Sequence, residues 1–146
     1  MADFAIEGVE PMETVPINWL ALIVAAIVKF AIGAAWYSPV VLGKQWMAET
    51  GTTQDQFRAN MVPALVAEIV TDLVIAFFLI YAVRYAGATT LLQGAWIGFL
   101  VWLGFMATVS IAQVYYEKRS WRLWSINNGY LVVSLIVMGA ILGVWP

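Results

Sequence analysis

Lys29, Glu68 and Asp72 are the residues of this chain whose types and placement could do chemistry. Each sits in a long apolar stretch, where an unpaired ionisable side chain at the centre of a bilayer costs about 2.5–3.5 kcal/mol. Three without partners would cost roughly 8–10 kcal/mol, as much as the whole stability of many domains. They must therefore be compensated. Glu68 and Asp72 are four residues apart, which stacks their carboxylates on one helix face about 6 Å from each other. One ammonium cannot neutralise two buried carboxylates, so the pair is expected to share a proton and titrate as a unit, a proton-binding site by construction.

Other chemistries lack their residues. With no Cys and no His, disulfides, thiolate catalysis, the usual zinc sites and His-ligated haem are excluded, and no metal or cofactor is expected. No Ser-His or Cys-His constellation exists, so the chain reads as a protein other than an enzyme; acid–base chemistry on a lipid is the one catalytic reading left to two carboxylates and a lysine. Seven Lys and Arg scattered over a chain of net charge -2 do not make a nucleic-acid-binding face.

The elements that must position the three charges follow from composition. Of 146 residues, 63% are hydrophobic and 11% charged, far from the roughly half apolar and quarter charged of a soluble domain. A bilayer core of about 30 Å needs about 20 helical residues. Four segments meet that length, 17–38, 61–84, 91–115 and 123–145, and predict one all-α domain, a transmembrane four-helix bundle. Lys29 and Asp72 then fall near the midplane of neighbouring, oppositely directed spans, where a direct pair is geometrically reasonable.

Aromatic anchors fall at the expected interfaces, Trp19 and Trp145 at one and Trp36, Tyr37, Tyr115, Tyr116, Trp121 and Trp124 at the other. The first and third loops carry Lys44, Arg58, Lys118, Arg119 and Arg122, and the opposite side only Arg84. By the positive-inside rule both termini are expected on the non-cytoplasmic side. The segment before Ile17 holds Asp3, Glu7, Glu10 and Glu13 with no Lys or Arg, unlike a signal peptide, so the first span is expected to be retained.

Between the first two spans, Pro39 stops a helix, residues 41–49 could form a short interfacial helix ended by Gly51, and Thr53-x-x-Gln56 matches a capping box. Pro63 fits either the first turn of a helix opened by Asn60 or a kink in a longer one. Gly94-x-x-x-Gly98 and Gly139-x-x-x-Gly143 offer small faces for close packing, within the monomer or between subunits, and Gly33 is a further packing position. Asn127 and Asn128, about a turn inside the fourth span, need partners. They serve either as interhelical glue or as a polar cluster shared with Gln113 and Ser110.

Several motifs run along the chain: Asn18-Trp19-Leu20-Ala21; Gly33-x-x-Trp36-Tyr37-Ser38-Pro39 with Gly43 and Trp46 after it; and Arg119-Ser120-Trp121-x-Leu123-x-x-Ile126-Asn127-x-Gly129-Tyr130 with Gly139. In these it resembles the domain-of-unknown-function family 1761, small four-helix membrane proteins of bacteria. The resemblance implies a stand-alone four-span protein of a bacterial inner membrane with no established activity. Leu42 stands where an aromatic residue would be expected, and Lys29, Glu68 and Asp72 lie outside the pattern.

The resulting expectation is a small integral membrane protein, a non-enzymatic oligomeric or accessory component whose partners are the lipid bilayer, other copies of itself or a larger membrane complex. The competing reading is a small transporter or channel that uses Lys29, Glu68 and Asp72 for protons, cations or a small solute. A water-accessible cavity reaching Asp72 would favour transport, a dry, fully packed Lys29 contact with no route to either side would favour structure, and an open polar cleft at the headgroup level beside Asn127 would favour the enzyme reading.

Overall fold

The computed structural model describes residues 15–145. The acidic positions Asp3, Glu7, Glu10 and Glu13, with the expectation drawn from them, lie outside the described residues. In chain order the elements are α1 (Trp19–Trp36), α2 (Gly43–Thr50), α3 (Gln54–Ala59), α4 (Met61–Tyr85), α5 (Leu91–Val101), a π-helical segment (Trp102–Ala107), α6 (Thr108–Tyr116) and α7 (Trp121–Val144). The run from α5 through α6 is one continuous helix, Leu91–Tyr116; with α1, α4 and α7 it makes four helices long and apolar enough to cross a membrane. The chain is an all-α, multi-pass membrane protein.

Local sequence sets the helix ends. Asn18 accepts from the Ala21 N–H at 3.1 Å and opens α1, two residues later than the apolar run alone suggested. Pro39 lies just beyond its end at Trp36. The 41–49 helix is present as α2, beginning at Gly43, and Gly51 ends it in the left-handed region at φ 69°. Gly43 can start α2 there because the chain folds back on itself: any Cβ at this position would press into the Tyr37 and Ser38 carbonyls. Thr53 and Gln56 form the reciprocal capping box of α3. The backbone breaks at Asn60, so Pro63 occupies the first turn of α4 and kinks nothing. Ser120 caps α7 by accepting from the Leu123 N–H at 3.0 Å.

The inward faces follow helical spacing. Ala21, Ala25 and Lys29 line one stripe of α1, with Leu22 and Ala26 beside it, and Asp72, Ala76, Ile80 and Val83 line the buried stripe of α4. These stripes meet Leu135, Met138 and Leu142 of α7, the helix that packs against α1, α4 and α5. The outer faces of α4, α5 and the π-helical segment carry exposed Val62, Val66, Phe78, Leu92 and Phe105, as a lipid-facing surface requires.

The two glycine motifs face each other. A Cβ on Gly94 would strike the Gly139 carbonyl and lie 2.9 Å from the Gly143 Cα, and one on Gly98 would strike the Leu135 carbonyl. Of the two packing alternatives, α5 and α7 take the one within the chain, in backbone contact. Gly33 lies under the ring of Tyr130, 3.1–3.3 Å from a built Cβ. The π-helical segment has no counterpart in the sequence expectation. It widens the third span by one residue per turn and re-aims the side chains that follow.

Candidate functional site

Lys29 and Glu68 are each seven residues from the end of their helix nearest the α2–α3 loop, about 10 Å deep at 1.5 Å per residue. Their depths match, and the side chains meet. The Lys29 ammonium donates to Asp72 Oδ1, to Glu68 Oε1 at 3.0 Å and to the Tyr130 hydroxyl at 2.7 Å. Tyr130 in turn donates to the same Glu68 oxygen at 2.6 Å. Its ring also lies under the ammonium, 4.9 Å from the centroid. Three helices thus supply one network: α1 the cation, α4 two carboxylates and α7 the phenol.

Burial separates the two carboxylates. The side chains of Lys29 and Asp72 are 3% and 1% exposed, whereas Glu68 is 39% exposed. Asp72 is sealed against its cation, with Oδ2 buried and unpartnered among the described residues. Glu68 opens on a cavity of about 660 Å³ lined by Phe30, Gly33, Tyr37, Trp46, Phe57, Asn60, Asn127 and Tyr130, among others. This volume falls within the 300–1,000 Å³ range of small-molecule sites.

The loop between α1 and α4 roofs the cavity. Trp46 of α2 packs edge-on against Tyr37 at 5.9 Å and Phe57 of α3 at 6.3 Å, and Tyr37 packs edge-on against Tyr130 at 5.4 Å. Glu49 ties α2 to the start of α7, accepting from the Ser120 hydroxyl and lying 3.6 Å from Arg122. Burial, and then the negative charge of Glu68, hold the Tyr37 hydroxyl above its ordinary range. It stays neutral and donates to Asn127 Oδ1 at 3.0 Å.

The four residues of the expected polar cluster, Asn127, Asn128, Gln113 and Ser110, line one cleft, but their hydrogen bonds divide. Asn128 donates to Ser110 Oγ at 3.0 Å and accepts from the Trp102 indole at 3.2 Å, while Trp124 donates to Ser110 Oγ at 3.0 Å. Asn127 borders both cavities and pairs instead with Tyr37 of the first span, because consecutive residues point about 100° apart on a helix. Gln113 is exposed and lines a smaller cleft of about 310 Å³ with Arg119, Ser110, Asn127 and Asn128. Trp36 is half-buried and gives its indole N–H to the Ile126 carbonyl at 3.0 Å, whereas Trp19, Trp121 and Trp145 are exposed at helix ends.

Two contributors escaped sequence reasoning. Trp102 reaches Asn128 from the π-helical segment, whose wider turn no periodicity announces. Tyr130 had a usable signal, since a phenol about two turns inside a span needs a partner for its hydroxyl as much as an amide does. No group of three or more metal-ligating side chains occurs among the described residues.

Many residues that carry the family resemblance converge here. Gly33, Tyr37, Trp46, Asn127 and Tyr130 line the larger cavity, and Trp36 packs over Gly129. No curated protein and no solved structure matches the chain. A family model does match, over residues 20–143, most of the chain, and on that match the chain belongs to the family described as Protein of unknown function (DUF1761).

Proposed function

We propose that this protein is a small membrane carrier that takes up a proton or small solute at Glu68 from the side of the α2–α3 loop. One observation carries the reading: the cavity beneath that loop runs to Glu68 and Tyr130, which bond directly to the sealed Lys29–Asp72 pair. A purely structural charge cluster has no need of such an opening, and ionisable groups at this depth with an open approach mark substrate or proton pathways. The network holds one ammonium and two carboxylates and so carries one unbalanced negative charge. A proton or a cation balances it, and the carboxylate open to the cavity, Glu68, is where either would arrive.

The reading of an oligomeric or accessory component is weaker on this geometry, because the glycine faces that suggested a subunit interface are used between α5 and α7. Enzymatic action is not proposed. The basic residues of the α2–α3 and α6–α7 loops support a cytoplasmic placement of the cavity mouth, with both termini outside and the inner membrane of a bacterium as the location.

The absence of cysteine makes a direct test practical. Ala64 lines the cavity one turn before Glu68, and Val70 is exposed on α4 away from it. A membrane-impermeant cationic thiosulfonate applied from the loop side should label Ala64→Cys and leave Val70→Cys unlabelled. Equal resistance of both positions would show a cavity closed to water and would sink the carrier reading.

A further inference from the structure

Granting that Glu68 is the exchanging group, we infer that the solute the cavity takes is a monovalent organic cation with aromatic or bulky apolar substituents, bound in exchange for a proton on Glu68. The argument is one of charge and wall chemistry. The site is short of one positive charge, since Lys29 is committed to Asp72 and shared with Glu68. An anion would meet that net negative charge, and a neutral solute would leave it uncompensated in a low-dielectric cleft.

The walls discriminate further. A small hydrated metal cation needs oxygen ligands on several sides, yet most of this cavity is apolar and aromatic, with Phe30, Tyr37, Trp46, Phe57 and Met61 around a single carboxylate; of the neutral oxygens in its lining, Gln56 Oε1 is taken by the Thr53 N–H and Asn127 Oδ1 by Tyr37. Such surfaces favour a soft, weakly hydrated cation, whose substituents are buried by the walls and whose charge is attracted to ring faces. A cavity of about 660 Å³ is large enough for a cation carrying several rings.

The exchange balances as Glu68 carboxylic acid plus cation giving the carboxylate–cation pair and one proton released to water. The titratable and charged groups facing Glu68 are Lys29 from α1, Tyr37 at the end of α1, Asp72 from α4 and Tyr130 from α7. Lys29 and Asp72 hold each other, and the two phenols donate hydrogen bonds to Asn127 and Glu68, which leaves Glu68 to give up the proton.

The test uses the full chain purified in detergent, with tetraphenylphosphonium as probe and tetraphenylborate, nearly the same shape with opposite charge, as control. Calorimetric binding of the phosphonium should exceed that of the borate at least tenfold, weaken as pH falls, and release close to one proton in weak buffer. Glu68→Gln should abolish it. Because that variant disturbs the buried network, Phe57→Ala is the second arm. It removes a cavity wall on the short helix α3 without touching Lys29, Glu68 or Asp72, and should weaken phosphonium binding severalfold while pH-jump proton uptake by Glu68 persists. Equal binding of both probes, or binding indifferent to Phe57→Ala, overturns the inference. No phosphonium binding with proton uptake at Glu68 retained overturns the cation assignment alone. Loss of both in the unmodified protein overturns the carrier reading with it.

Discussion

The Tyr130 hydroxyl accepts from the Lys29 ammonium at 2.7 Å and donates to Glu68 at 2.6 Å, so a neutral phenol on α7 links a cation on α1 to a carboxylate on α4. This bridge explains how the three elements share one charge network, and it fixes the first prediction. Tyr130→Phe keeps the ring over Gly33 and removes only the hydroxyl. Hydrogen bonds to charged groups contribute about 1.5–3 kcal/mol each, so thermal unfolding in detergent should show destabilisation of that order. An unchanged melting temperature would mean that Lys29 and Glu68 do without the bridge.

Lys29→Met alone should be more harmful, costing about 3–5 kcal/mol, because it leaves the sealed Asp72 carboxylate without its cation and Glu68 beside it. The triple change Lys29→Met, Glu68→Gln, Asp72→Asn removes every formal charge at once and should recover much of that loss in the same assay. Recovery of the fold with no recovery of proton uptake is expected of a carrier. Simple addition of the separate losses would contradict the observed pairing of α1 with α4.

Gly98→Leu should prevent α5 and α7 from meeting, since even a Cβ there runs into the Leu135 carbonyl. Gly104 lies in the π-helical segment of the same span, and a Cβ on it meets nothing within 4 Å. Gly104→Leu should therefore leave thermal stability and size in detergent essentially unchanged. Similar behaviour of the two variants would indicate that these backbones do not touch.

The proposed orientation predicts an asymmetric labelling pattern. A cysteine at Thr89, exposed between α4 and α5, should react with an impermeant thiol reagent in intact cells, whereas one at Lys118, between α6 and α7, should react only after the membrane is opened. The reverse pattern would place the cavity mouth outside the cell.

Much of the fold was legible in the sequence because it rests on local or one-dimensional facts. Apolar run length marked the four spans, the Thr53–Gln56 box and Gly51 marked the ends of the short helices, and Ser120 marked the start of α7. The need for Lys29 to find a carboxylate was also local in origin, since a lone charge in hydrocarbon is costly whatever surrounds it. The three-dimensional packing decided what remained. Only the rotation of α7 about its axis could send Asn127 to Tyr37 and Asn128 to Ser110 and Trp102. The π-helical turn shifts register without any compositional trace. Above all, Glu68 and Asp72 are equivalent in sequence, two carboxylates on one face; the way α1, α3 and α7 close around α4 seals Asp72 with Lys29 and leaves Glu68 open to a cavity. Burial is a property of neighbours distant along the chain, so no reading of the residues by themselves could tell these two carboxylates apart.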